Sequence, residues 1–297
     1  MERYYFLFIL ALAWIIFATV QDLRKREVAN WLTYSLIIFA LAYRAFYSIF
    51  AEDISFFAYG ILGFGLFWIL AYAFYYGRIF AGGDAKLLMG LGAVIPGENI
   101  NELGINLVFF LFLLFFLGAV YSLIFSLGVV YKKYSGFKKE FVRRVEKEKR
   151  ILFTLFIFYI ILILIFTGNK FLDFFTFETM LYFKLIFYLV PFIFFFTLLF
   201  IYLKSLEYGA LIVETNPKDL REGDWLERDV RIGKNWIKKS VHGLSLDEIK
   251  ILREARKKVW IREGIPFIPA FLIAFLAMLF FFFVLRSLPQ EIFLSLS

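Results

Sequence analysis

Cysteine is absent from the 297 residues of this chain, and histidine occurs once, at His242. The lack of thiols excludes disulfides, thiolate metal sites and a cysteine nucleophile. A single histidine leaves almost nothing from which to build a conventional zinc site. We therefore expect a protein that works with no metal and no other cofactor.

Long polar stretches are also scarce, because 62% of the residues are hydrophobic and 43 are phenylalanine. This apolar fraction lies far above that of a soluble domain. The composition indicates an integral membrane protein with the lipid bilayer as its surroundings. The net charge of +8 is typical of basic cytoplasmic loops in such a protein, so we expect no nucleic-acid partner.

Eight apolar segments approach the length of about 20 residues that a bilayer-spanning helix requires. The fourth has about 13 residues, roughly 20 Å of helix, and is too short to cross the hydrocarbon by itself. The segments are Tyr4–Val20, Trp31–Phe50, Phe56–Tyr76, Asp84–Pro96, Ile105–Tyr131, Ile151–Thr167, Glu178–Leu203 and Ile265–Arg286.

Lysine and arginine are concentrated in the connections that follow odd-numbered segments, above all in 24–26 and 132–150. This asymmetry marks the cytoplasmic side of a membrane protein. It predicts that the N-terminus lies outside and that Asp22 and Asp84 both lie at the cytoplasmic end of the bundle. The basic stretch 132–150 is predicted to be helical at the membrane surface and to attract anionic lipid.

One sizeable polar stretch, 204–264, is predicted to form a small soluble domain. Gly209–Glu214 and Trp225–Ile232 have strand-like composition. Ser245–Glu248 is a capping box that opens a helix predicted to run to about Ile261.

The fold class predicted from these patterns is an all-α polytopic membrane protein with about eight hydrophobic helices, one of them short, and a small α+β cytoplasmic domain. The chain is predicted to divide into five parts. They are a catalytic membrane core 1–131, a basic cytoplasmic loop 132–150, an additional helix pair 151–203, the soluble domain 204–264, and a last transmembrane helix with its tail 265–297.

Asp22 and Asp84 are the candidate catalytic residues. Ionisable groups at membrane depth are costly and indicate function by default, and two carboxyls that meet are the minimum requirement of an aspartic protease. Gly82 and Gly83 are predicted to form an active-site loop whose bare backbone approaches an extended peptide closely. Structural alternatives stay open: Asp22 as a helix-end acid paired with nearby arginines, and Asp84 as a first-turn acid that its helix dipole favours.

Three further polar residues are candidates for a supporting role. Lys86 either touches substrate or extends to the membrane interface, and Asn30 either hydrogen-bonds near Asp22 or belongs to a turn. Glu27 is an acidic residue near the two aspartates. Arg44 and Lys184 lie inside predicted spans and are interpreted as side chains that reach back to the interface.

The residues around the two aspartates resemble a known family. Asp22–Leu32 is similar to an Asp, basic stretch, Ile-Pro-Asn-Trp-Leu motif, and Ala81–Lys86 is similar to a GxGDxK signature, with Ala81 in place of the first glycine and Ala29 in place of the proline. A third similarity, to the soluble domain and last helix of the archaeal branch of that family, lies in Asp219–Gly223, Gly243–Glu248 and Val259–Pro269. The chain thus resembles the archaeal preflagellin (class III signal) peptidases, relatives of bacterial type IV prepilin peptidases within the GxGD membrane aspartyl proteases.

This resemblance implies an endopeptidase that removes short basic leader peptides from pilin- or flagellin-like precursors at the cytoplasmic face. Substrates of the family carry a basic segment, then a small residue, usually glycine, and then a hydrophobic helix. It also implies that Asp22 and Asp84 form a dyad that activates water. The alternative function is an ion- or proton-coupled membrane transporter that uses the same aspartates.

Overall fold

The computed structural model describes residues 2–167, 177–233, 235–240 and 242–285. Its helices are α1 Tyr5–Lys25, α2 Asn30–Phe50, α3 Ile54–Tyr76, α4 Gly82–Val94, α5 Ile100–Lys132, α6 Tyr134–Thr167, α7 Phe177–Leu206, α8 Leu246–Glu254 and α9 Ile268–Phe280. Its strands are β1 Ile212–Thr215, β2 Trp225–Leu226, β3 Val230–Ile232, β4 Asn235–Ile237 and β5 Val259–Arg262.

Several helices have the length and composition of membrane spans, which confirms a polytopic helical membrane protein with a small strand-containing domain. Among the described residues, five helical stretches are long and apolar enough to cross a bilayer. They are Glu2–Lys25, Asn30–Phe50, Ile54–Tyr76, Ile100–Lys132 and Lys184–Leu211, and a shorter apolar stretch covers Ile268–Val284.

The other predicted segments differ from simple spans. The fourth is the 13-residue helix α4. The basic stretch 132–150 is helical, as predicted, but it continues directly into the sixth segment as the single 34-residue helix α6. The connection 168–176 and the end of the last segment at Arg286 lie outside the described residues.

The chain forms two compact units, Met1–Phe125 with Gly264–Ser297, and Ser126–Glu263. The core of the first unit is built from α1 to α4, the first part of α5, and α9. The five-part division made from the sequence stays a prediction.

Helices α3 and α4 approach backbone to backbone at one pair of glycines. A Cβ added to Gly63 would lie 2.3 Å from the carbonyl oxygen of Gly92, and one added to Gly92 would lie 2.4 Å from that of Gly63. Small residues let membrane helices pack this closely. The short helix α4 is consequently enclosed, and most of its residues are buried.

Arg44 donates hydrogen bonds to backbone carbonyls at the buried C-terminal end of α4. Its interpretation as a side chain that reaches the membrane interface is therefore wrong. It is fully buried, and its guanidinium donates to the carbonyls of Ala93 at 2.7 Å, Phe56 at 2.8 Å and Ile95 at 2.9 Å. The last carbonyls of a helix have no partner within the helix, and cations stabilise them. Lys184, the other basic residue that was predicted to reach the membrane interface, is exposed.

The second unit holds the small domain. A three-stranded antiparallel sheet has the order β1-β5-β2, and β3 pairs with β4 as a hairpin. The helix predicted to run to about Ile261 ends at Glu254 instead. Val259–Arg262 is strand β5, because buried Val259 and Ile261 alternate with exposed Trp260, the period of a strand.

Candidate active site

Helix α1 continues past the predicted segment and ends at Lys25. Asp22 therefore lies in the last turn of this helix. Its side chain is buried, with the residue only 7% exposed. One carboxyl oxygen accepts a hydrogen bond from the backbone N–H of Ile268 at 3.0 Å, across 246 residues of chain.

This contact has a clear electrostatic reason. The C-terminal end of α1 is an unfavourable position for an anion, whereas the N-terminal end of α9 presents unpaired N–H groups. Phe267 precedes α9 and has no side-chain oxygen to cap it. The Asp22 carboxyl acts as that cap. Arg26 lies within Coulombic range of Asp22, but the side-chain hydrogen bond goes to the start of α9.

Asp84 is the third residue of α4 and is 8% exposed. One of its carboxyl oxygens accepts the backbone N–H of Ala81 at 3.1 Å. It therefore has the position of a first-turn acid, which was the structural alternative from the sequence. That role leaves the second oxygen available for chemistry.

The two carboxyls are near each other in the first unit. Helices α1 and α4 contact one another, and Asp84 lies within Coulombic range of Asp22. Two interacting carboxyls in a low-dielectric site resist simultaneous ionisation and can share a proton. Such a pair can activate a water with one carboxylate and protonate an oxygen with the other.

Gly82 and Gly83 are the first two residues of α4 and not a loop, which corrects the prediction from the sequence. A Cβ on Gly83 would lie 3.3 Å from the Cβ of Val28. The close approach at Gly83 is therefore to the connection between α1 and α2. It brings together the two segments that carry the aspartates.

The supporting candidates have different positions. The Lys86 ammonium donates to the side-chain oxygen of Asn30 at 2.5 Å and lies 5.9 Å from the ring of Tyr34. This bond joins the motif around Asp84 to the motif around Asp22. Glu27 is exposed on the connection between α1 and α2.

A cavity of about 550 Å³ lies beside α4 but does not contain the carboxyls. The residues of α4 that line it lie about 100–160° around the helix from Asp84 at 100° per residue, and they are Gly82, Ala85, Lys86 and Met89. Phe64, Trp68 and several tyrosines complete its mostly apolar wall. This cavity is therefore separate from the aspartate pair.

Among the described residues, no group of three or more His, Asp and Glu side chains is arranged to hold a metal ion. The Ile268 contact with Asp22 was missed by the sequence reasoning. Pro269, at the start of α9, was a signal for a helix N-terminus here. No local pattern connected it to Asp22.

Fold and site together define a class, a polytopic helical membrane protein with two buried, interacting carboxyls near helix ends. Residues 9–123, which carry both aspartates, match the model of the type IV leader peptidase family. The resemblance inferred from the motifs is thereby confirmed over this segment.

Two curated relatives are also similar to part of this chain. The chain is 34% identical over 92 residues to the preflagellin peptidase of Methanocaldococcus jannaschii, covering 31% of this chain and 39% of that protein. It is 38% identical over 82 residues to the preflagellin peptidase of Methanococcus maripaludis, covering 28% and 35%. The matches thus span less than half the length of these relatives. No solved structure matches the chain.

Proposed function

We propose that this protein is a membrane aspartic endopeptidase that removes short basic leader peptides from preflagellin- or pilin-like precursors, with Asp22 and Asp84 as its dyad. The main supporting observation is the pair itself, two buried carboxyls within Coulombic range of each other. The family match over 9–123 supports leader-peptide processing as the reaction.

The chemistry follows from a pair that holds one proton. The ionised carboxyl takes a proton from water as the water oxygen bonds to the scissile carbonyl carbon. The protonated carboxyl gives its proton to the carbonyl oxygen, so a neutral gem-diol forms. The C–N bond then breaks as the nitrogen takes the proton from the first carboxyl. The second carboxyl recovers a proton from the gem-diol, which leaves as the carboxylic acid.

The proposal includes an orientation and a substrate contact. The asymmetry of Lys and Arg supports an orientation in which the aspartate ends of α1 and α4 face the cytoplasm. Exposed Glu27, two residues beyond the end of α1, offers a negative charge to the basic leader. Lys86 and Asn30 act on the dyad by holding α4 against the start of α2.

The test compares three variants of the full chain in lipid vesicles, with a precursor that carries a Lys/Arg-Gly junction. Asp22→Asn and Asp84→Asn keep an oxygen that accepts the N–H groups of Ile268 and Ala81, so each variant should fold. We expect each to lower cleavage at least about 10²-fold, the low end of acid–base contributions. Mass spectrometry of the products measures this.

The matched control is Glu52→Gln, which removes an exposed carboxyl from the same unit. It should cleave at the wild-type rate. Normal cleavage by either aspartate variant would contradict the dyad. Absence of cleavage by the wild-type protein would contradict the endopeptidase function.

A further inference from the structure

One tyrosine on α5 has a buried hydroxyl with no hydrogen-bond partner. The Tyr121 hydroxyl and the Thr19 hydroxyl are the buried side-chain oxygens without a partner in the part of the first unit that the structure describes. A hydroxyl in this situation has lost its hydrogen bonds to water and gained none. Native structures keep few such groups, and each one requires an explanation.

The packing of α5 places Tyr121 beside the aspartate site. Gly118 lies one helical turn before Tyr121, and a Cβ added to it would lie 2.8 Å from the ring of Phe267. This part of α5 therefore lies against the start of α9, where the N–H of Ile268 holds Asp22. Tyr121 shares that face of α5, because residues three apart are neighbours on a helix.

A second observation agrees with this placement. Tyr121 lies within Coulombic range of Asp22. Its ring is anchored, since it packs 5.9 Å from the ring of Phe125 and against the hydrophobic core. The hydroxyl is thus carried by a fixed ring close to one of the two carboxyls.

Thr19 places a second unpaired hydroxyl close to the same carboxyl. It lies three residues before Asp22 on α1, on the same helix face, and is 8% exposed. A threonine inside a helix commonly bonds to a carbonyl one turn earlier, but this one does not. Thr19 shares a helix face with Asp22 and Tyr121 lies within Coulombic range of it. A peptide group has the donors and acceptors to pair with both hydroxyls.

We propose that Tyr121 is a further catalytic residue, whose hydroxyl donates a hydrogen bond to the oxygen of the scissile carbonyl while water attacks the carbon. This role rests on the endopeptidase function proposed above. No bond to Tyr121 forms and no proton leaves it, so the proton balance of the dyad is unchanged. The Thr19 hydroxyl pairs with the peptide backbone next to the cleaved bond. Donors aimed at a developing oxyanion act mainly on the transition state.

The test measures kcat and KM of the full chain in lipid vesicles with the precursor described above. Tyr121→Phe removes only the hydroxyl and keeps the packed ring. We expect kcat to fall about 10²-fold with KM nearly unchanged, as for the loss of an oxyanion donor. Thr19→Val should raise KM. The matched control is Tyr131→Phe, which removes the hydroxyl of a tyrosine 86% exposed on the same helix and should behave as wild type.

A stability measurement separates catalysis from folding. Removing an unpaired buried hydroxyl should leave the unfolding midpoint of Tyr121→Phe unchanged or slightly higher. A wild-type kcat in Tyr121→Phe would overturn the inference, and so would a midpoint that falls together with kcat. If Asp22→Asn is inactive while Tyr121→Phe is fully active, only the role of Tyr121 fails. Full activity of Asp22→Asn, or no cleavage by the wild type, overturns the dyad and this inference together.

Discussion

Replacing Arg44 by methionine should destabilise the protein strongly, because Arg44 satisfies the buried end of α4. Its guanidinium makes three hydrogen bonds of 2.7–2.9 Å to backbone carbonyls and a longer one of 3.4 Å to Val94. It also lies 4.7 Å from the ring of Phe56 and 5.3 Å from that of Tyr4. Methionine preserves a long apolar stem but offers no donor.

The magnitude follows from the groups left unpaired. The carbonyls of Ala93 and Ile95 at the end of α4 have no helical N–H partner, and each buried carbonyl that loses its partner costs about 1–3 kcal/mol, so these two bonds represent roughly 2–6 kcal/mol. Removing the guanidinium also removes several kcal/mol of its own desolvation cost. We therefore expect Arg44→Met to lose about 2–4 kcal/mol of unfolding free energy, because the desolvation cost that disappears with the guanidinium offsets part of the loss from the unpaired carbonyls. Arg44→Lys keeps the charge but not the planar fork, and should lose less.

The assay is unfolding in mixed micelles with a rising fraction of denaturing detergent, followed by the fluorescence of the six tryptophans. Lys184→Met is the matched control, because it removes an exposed cation from α7 and should leave the midpoint nearly unchanged. An Arg44→Met protein that unfolds like the wild type would refute the reasoning. Equal losses of unfolding free energy for Arg44→Met and Lys184→Met would refute it as well.

Two further changes test neighbouring parts of the first unit. Gly60→Ala should destabilise the protein by about 1–3 kcal/mol, since its Cβ would lie 2.2 Å from the Cδ of buried Arg44. Gly65→Ala is the control, because its Cβ meets nothing within 4 Å and the change should be neutral or stabilising. Equal unfolding midpoints for the two variants would contradict this prediction. Asp53 caps α3 through hydrogen bonds from Ser55 and is paired with Arg3, contacts that hold the pKa of its carboxyl below the usual value. Because that pKa is lower in the folded state, the stabilisation is present above the unfolded pKa of about 3.9 and is lost as pH falls through the folded pKa. The deficit of Asp53→Ala, about 1 kcal/mol at neutral pH, should therefore disappear in acid, and a deficit independent of pH would contradict the cap.

Short-range patterns were sufficient to locate the two aspartates and the segments that carry them. Asp22 and Asp84 stand out because charged residues are rare beside apolar runs, and the motifs around them are local in the chain. The family match over 9–123 covers both. Their closeness was an expectation from topology, and the contact between α1 and α4 agrees with it.

Long-range contacts were beyond the reach of those patterns. Arg44 has the sequence context of any basic residue in a span, and its partners Ala93 and Ile95 lie 49 and 51 residues away. Glycine at position 83 suggested a turn, whereas the structure uses it for close packing against Val28. Tyr121 is one of 17 tyrosines, and only its missing partner and its position distinguish it.

The sequence by itself determined the class of protein and singled out the two aspartates as candidates, because composition and neighbouring residues decide which stretches enter a bilayer and where a charge is costly. The tertiary structure alone decided how those acids are held. Asp22 is paired with the N–H of Ile268, 246 residues away, and the unpaired helix ends of α4 and α9 are satisfied by side chains from other helices. Buried backbone groups need partners, and which partner reaches them depends on helix packing, which no local spacing records.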